Sequence, residues 1–155
     1  MKKKMGRSQE HNELDPYVKY GVFRKAFSNV NMFKSQGNYL AAHMLIFSIL
    51  EDRVTAAYVT CYRALNDKNP PQFEDLKKIA FRNMVGNLLA MGVFDETIAE
   101  KINSVAMKRN QLTHEMMWRL DCFKEENVDE VRALINEVNK MSRRFAKNHE
   151  KTDSV

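Results

Sequence analysis

Apolar residues recur at helical spacing along nearly the whole chain. Leu40, His43, Phe47, Leu50, Val54, Ala57, Cys61 and Leu65 follow one another three or four apart, which predicts a long helix from about 38 to 66. The run Asn66-Asp67-Lys68-Asn69-Pro70-Pro71 breaks it. A second helix is expected over about 72–91. Leu76, Ile79, Ala80, Met84 and Leu88, with Phe81, Val85 and Leu89, give it an apolar band broad enough to pack on more than one side. Gly92 supplies a stop. Asp95 caps a third helix reaching about Trp118, with Phe94 placed to staple the chain entry. Asn127 is expected to cap the last helix, with Glu130 completing a capping box. Its stripe is Val128, Val131, Ile135, Val138, Met141 and Phe145, and it frays after about Asn148. Upstream, Asp15-Pro16 is a helix start for a shorter element reaching about Phe33, with Val18, Val22, Ala26 and Val30 on one face. Gly21 and the Asn29-Val30-Asn31 stretch weaken that element. No strand alternation and no internal repeat is present.

The pattern predicts an all-α protein: an antiparallel four-helix bundle over 38–148, with an extra short helix within 13–37. Residues 1–12 are expected to form a disordered basic arm and 149–155 a disordered tail. The chain has 155 residues, 44% of them hydrophobic, enough for one domain with a core of its own. Nine Phe, five Tyr and ten Met exclude wholesale disorder. The Gly37–Leu50 stretch, 14 residues free of charge, falls short of the roughly 20 that a membrane helix needs. Lys2-Lys3-Lys4 leads into polar residues, unlike a signal peptide. Cys61 and Cys122 are far apart and belong to no metal motif, which fits a reducing, cytoplasmic setting. No Walker loop, nucleophile elbow or HExxH motif occurs, so neither a cofactor nor a metal is expected.

Charge is unevenly placed. Residues 1–37 hold eight Lys/Arg against three acids, and the remaining 17 bases and 17 acids cancel. The net +5 therefore belongs to the N-terminal segment. Such an arm is either a solvated tail or a source of sequence-independent affinity for a polyanion, through Lys2, Lys3, Lys4, Arg24 and Lys25. Arg143 and Arg144, with Lys140 and Lys147, make a basic end to the last helix.

The most informative segment is Lys108-Arg109-Asn110-Gln111-Leu112-Thr113-His114. Arg109 occupies an apolar position between Val105 and Leu112, so it needs a carboxylate, a phosphate or a wet cleft. Glu51 is the preferred carboxylate, with a plain surface pair to Arg53 as the competing reading. His114 lies one turn beyond Asn110, which could orient its ring. Arg109 and His114 are roughly 140° apart on an ideal helix, so they meet only in an edge groove or across a dimer interface. A neutral-pKa imidazole and a guanidinium can move a proton and hold a phosphate. Attack of an RNA 2′-hydroxyl on its own phosphate needs those two services. The bland alternative is a paired arginine and a surface histidine. His43 on the apolar stripe is expected to be a hydrogen-bonded core residue, and His11 and His149 to lie in tails. Trp118, Met107, Met116 and Met117 are expected in packing, with a dimer groove or a nucleotide contact as the alternative.

The order of helices, the stretch Leu88 to Phe94, and Arg109-Asn110 with His114 on the third of them resemble the HEPN superfamily over residues 38–148. The resemblance implies a four-helix fold, a symmetric dimer and, in many members, metal-independent RNA cleavage leaving a cyclic phosphate. Carried over, Arg109 would hold the scissile phosphate, His114 would be the general acid/base, and Asn110 a supporting group. The acid on the first helix, Glu51, would assist, and Lys108 would join the RNA contacts. Many relatives are toxins or defence effectors with an antitoxin partner. Others have lost catalysis and serve as transcriptional regulators or adaptors, which is the alternative function here.

Overall fold

The computed structural model describes residues 16–65, 71, 73–119 and 121–150. The basic arm with Lys2, Lys3 and Lys4, the Asp15 cap and the tail from 151 lie outside them. Among the described residues every regular element is a helix: α1 (Pro16–Ser35), α2 (Tyr39–Leu65), α3 (Phe73–Leu76), α4 (Phe81–Ala90), α5 (Glu96–Glu115) and α6 (Glu125–Glu150). No described helix is long and apolar enough to cross a membrane.

The local signals explain where these helices stop and start. Asn38 Oδ1 accepts from Ala41 N at 3.1 Å, capping α2. Asp95 Oδ1 accepts from Ile98 N at 2.8 Å, capping α5. Gly92 takes φ +78°, and the N–H groups of Gly92 and Val93 donate to Leu89 and Leu88, each at 3.0 Å. That left-handed closure turns the chain from α4 towards α5 and favours glycine at this point.

α2 is the centre of the molecule, and its widest interface is with α6. Tyr39 and Leu40 pack near Phe123, while Cys61 Sγ lies 3.8 Å from Ser142 Oγ, so α2 and α6 run in the same direction. α1 runs the other way: Lys34 Nζ meets Asp129 at 2.6 Å, and Arg132 stands over Phe27 further back. α5 is also reversed. Its Leu112 carbonyl accepts from Cys122 Sγ at 3.4 Å, near the start of α2. The four long helices thus alternate in direction along the chain. Positions 51 and 53 of α2, about 200° apart on an ideal helix, face α5 and α1 respectively through Arg109 and Phe23. The core between them holds Val30, Ile46, Phe47, Leu50, Val85, Ile102, Val131 and Ile135, all at most 2% exposed. Each large apolar side chain so buried contributes roughly 1.5–3 kcal/mol.

Three expectations need correction. The N-terminal helix, expected from Pro16 to about Phe33, is found at Pro16–Ser35 but packs on α2 through Phe23, Ala26, Phe27, Val30 and Phe33. Its face is rotated from the expected one, and Val22 is 52% exposed. Aromatic burial outweighed the weak propensity of Gly21 and the asparagines. The helix expected over 72–91 is instead two pieces, α3 and α4, separated at Lys77–Ala80. The last helix starts at Glu125 rather than Asn127. Asn127 is buried in its first turn and accepts from Lys124 N at 2.9 Å, the return half of a capping box.

Candidate functional site

α5 is two-faced, and the Arg109–His114 segment straddles both faces. Ile98, Ile102, Val105 and Leu112 are buried on the inner side. Arg109 points the same way, into the seam with α2. Its Cζ lies 4.4 Å from the centre of the Phe47 ring, and Nη2 lies 3.6 Å from Glu51 Oε1. The Arg109 and Glu51 side chains are 29% and 42% exposed. An ion pair that open contributes at most about 1 kcal/mol, and the aromatic face adds a similar amount. Arg109 Nε is buried without a hydrogen-bond partner. Of the carboxylate, phosphate or wet cleft that the sequence demands for Arg109, the structure supplies a carboxylate, Glu51, loosely. The competing surface pair belongs to the neighbouring residue, Asp52, whose Oδ2 accepts from Arg53 Nη2 at 2.6 Å.

His43, Phe47 and Glu51 recur every fourth residue of α2 and face this seam. His43 is 2% exposed, stacked 6.3 Å from Phe47 and tilted 5.0 Å from Phe123. Burial lowers its pKa to about 4, with the charges of Arg109 and Lys108 adding to the effect. It is a neutral ring at pH 7. The expected hydrogen-bonded core histidine is only half right: His43 is in the core, yet Nδ1 has no partner. Ring stacking, not hydrogen bonding, holds it there.

His114 and Asn110 are exposed on the opposite side of α5. They share a face but form no hydrogen bond with each other among the described contacts, so the expected orienting bond is not made within one chain. Thr113 Oγ1 accounts for the Arg109 carbonyl at 2.7 Å, and Gln111 pairs with Glu115 at 3.0 Å. Met107, 73% exposed, shares the His114 face, and Met117 and Trp118 follow in the turn after α5, 78% and 90% exposed. Packing was expected for these residues; only Met116 shows it, against the Leu112, Cys122 and Phe123 cluster.

Lys108 is exposed and 3.9 Å from Glu130. Arg24 and Lys25 are exposed on α1, on the other side of α2 from Arg109. His149, expected in a tail, belongs to α6 and stacks 4.1 Å from Phe145. Cys61 and Cys122 are both buried and unlinked. No group of three or more His, Cys, Asp or Glu among the described residues is arranged to hold a metal ion.

The structure thus joins Glu51 to Arg109, and it does not join Arg109 to His114. Sequence reading missed the Phe47 platform under the guanidinium. Its signal was available: an arginine in an apolar position of one helix opposite an aromatic stripe on another. Comparison with protein-family models, curated proteins and solved structures finds no match to this chain.

Proposed function

We propose that the chain is a HEPN-like four-helix protein that cleaves RNA without a metal, at a site completed by a second copy. The observation that carries this reading is the placement of the Arg109-Asn110…His114 segment. Its arginine is seated against Glu51, and its histidine stands on an open face with Asn110. In the reaction, His114 takes the proton of a ribose 2′-hydroxyl, whose oxygen bonds to the adjacent phosphorus. The bond from phosphorus to the 5′-oxygen breaks, and the imidazolium returns the proton to that oxygen. The products are a cyclic phosphate and a free 5′-hydroxyl. Arg109 holds the phosphate and offsets the charge that builds on it.

Within one chain the two groups diverge, so the reading requires that the His114 face of one copy meet the α2–α5 seam of another. A two-fold axis permits this twice, once in each direction. Met117 and Trp118, just beyond His114, supply apolar area for such a contact.

The seating of Arg109 on Phe47 and against Glu51 favours a second reading, a non-catalytic regulatory or adaptor module in which Arg109 is structural. Incubation of the protein with a mixed RNA pool in EDTA, beside His114→Ala, separates the two. The first reading expects cyclic-phosphate ends from the parent protein only. Cleavage that survives in His114→Ala, or no cleavage at all, would transfer the weight to the second reading.

A further inference from the structure

Between α4 and α5 lies an open groove of about 610 Å³. Lys78, Arg82, Asn83, Gly86, Asn87 and Asn103 line it, and no acid does. Arg82 and the three asparagine side chains make no hydrogen bond or ion pair with described residues, so their hydrogen-bonding capacity faces the groove unspent. Lys78 is 3.7 Å from Asp75 in a loose pair, with both side chains well exposed. Gly86 is an odd choice in the middle of a helix, where glycine is the least favourable residue after proline. A Cβ there would meet nothing within 4 Å, so packing does not require the glycine. Its absent side chain leaves the groove floor open.

The groove also points somewhere. Asn103, Met107, Asn110 and His114 are spaced by four, three and four residues, one continuous face of α5. From Asn103 to His114 is about 16 Å along the helix axis. Glu96 and Glu100 on the same side come before Asn103. The path from groove to His114 therefore carries the amides of Asn103 and Asn110 and the apolar Met107, and no carboxylate.

The geometry points to this groove as the track for single-stranded RNA leading to His114, an inference that rests on the ribonuclease reading for its destination. Arg82 and Lys78 match backbone phosphates. The amides of Asn83, Asn87 and Asn103 both donate and accept, which suits the exposed edges of unpaired bases. A protein partner fits less well, because the groove offers no aromatic anchor for a hot spot.

The test is fluorescence anisotropy of a labelled single-stranded RNA, read as a salt titration, on the full chain carrying His114→Ala to prevent cleavage. Gly86→Glu and Arg82→Glu are compared with it, with circular dichroism to show that each variant is folded. Gly86→Glu enters open space, so it fills the groove with charge and leaves packing alone. Each groove variant should weaken RNA binding at least tenfold and flatten the salt slope, and Arg82→Lys should restore most of it. Unchanged binding in both folded variants would overturn the track, as would absence of RNA binding by the parent. Equal competition by a poly-glutamate peptide, which carries charge but no bases, would overturn it too. Loss of binding in the groove variants alongside no cleavage by the unmodified chain would keep the track and remove the ribonuclease reading. Cleavage that is unaffected by groove variants with unchanged binding would do the reverse.

Discussion

Each flank of α2 holds a guanidinium stacked on a phenylalanine, Arg53 of α2 over Phe23 of α1 and Arg109 of α5 over Phe47 of α2, and the two arrangements are finished to different degrees. On the α1 side, Arg53 lies 4.0 Å over Phe23, and its Nε and Nη2 donate to Asp52 at 3.2 and 2.6 Å. On the α5 side, Arg109 lies 4.4 Å over Phe47, its ion pair to Glu51 is 3.6 Å, and its Nε has no partner. His43 Nδ1, the other buried side-chain atom without a partner among the described residues, is on this same flank. Buried polar atoms are normally satisfied, and exceptions concentrate where structure serves something besides stability. The α1 flank is a closed structural joint. The α5 flank is looser, with Arg109 Nε and His43 Nδ1 left without a protein partner.

The sharpest way to break this contrast is to remove the platforms. Phe47→Ala should cost about 3–5 kcal/mol in urea denaturation, because the ring is 2% exposed and leaves a cavity. Phe23→Ala, at a half-buried ring, should cost clearly less. Equal losses would mean that the two flanks are energetically alike.

Acid should unsettle the α5 flank next. His43 titrates at about 4 when folded and near 6.5 when unfolded. Between those values the unfolded chain binds more protons, so this contribution to stability is complete above about pH 6.5 and is lost as pH falls towards 4. The loss between pH 7.5 and 5 should be about 2 kcal/mol, and His43→Leu should flatten that part of the profile. A profile unchanged by the substitution would remove His43 from the account.

Exchange of each guanidinium for an apolar chain gives a smaller signal. Arg53→Met should cost about 1 kcal/mol, since it removes short charge-assisted bonds. Arg109→Met should fall within about 0.5 kcal/mol of the parent, since it also removes an unsatisfied buried nitrogen. In the groove beside α5 the expected sign reverses. Gly86→Ala should raise stability by about 0.5–1 kcal/mol through helix propensity alone. Destabilisation there would show that the glycine answers a packing need.

Much of this arrangement was legible in the sequence. Asp95 and Gly92 announced their helix ends, because each acts through its own neighbours in the chain. Arg109, by breaking the apolar period, announced that it needed a carboxylate, a phosphate or a wet cleft. The failures have one physical source, dependence on distant partners. α1 is stabilised by rings buried against α2, which no local propensity reports. The break between α3 and α4 interrupts a broad apolar band that reads as one helix. Trp118, Met107 and Met117 read as core because they are apolar, and burial is set by what lies opposite them. The divergence of Arg109 and His114 was visible as an angle, and the side on which each would fall was not.

The central claim is that Arg109 and His114 act together across two chains. It is tested most directly by mixing inactive Arg109→Ala and His114→Ala chains, allowing subunits to exchange, and assaying RNA cleavage in EDTA. The account predicts that the mixture regains a clear fraction of parental activity, because a hybrid dimer holds one site with both groups intact. A mixture as inactive as either variant alone, from a pair shown to exchange subunits, would contradict it.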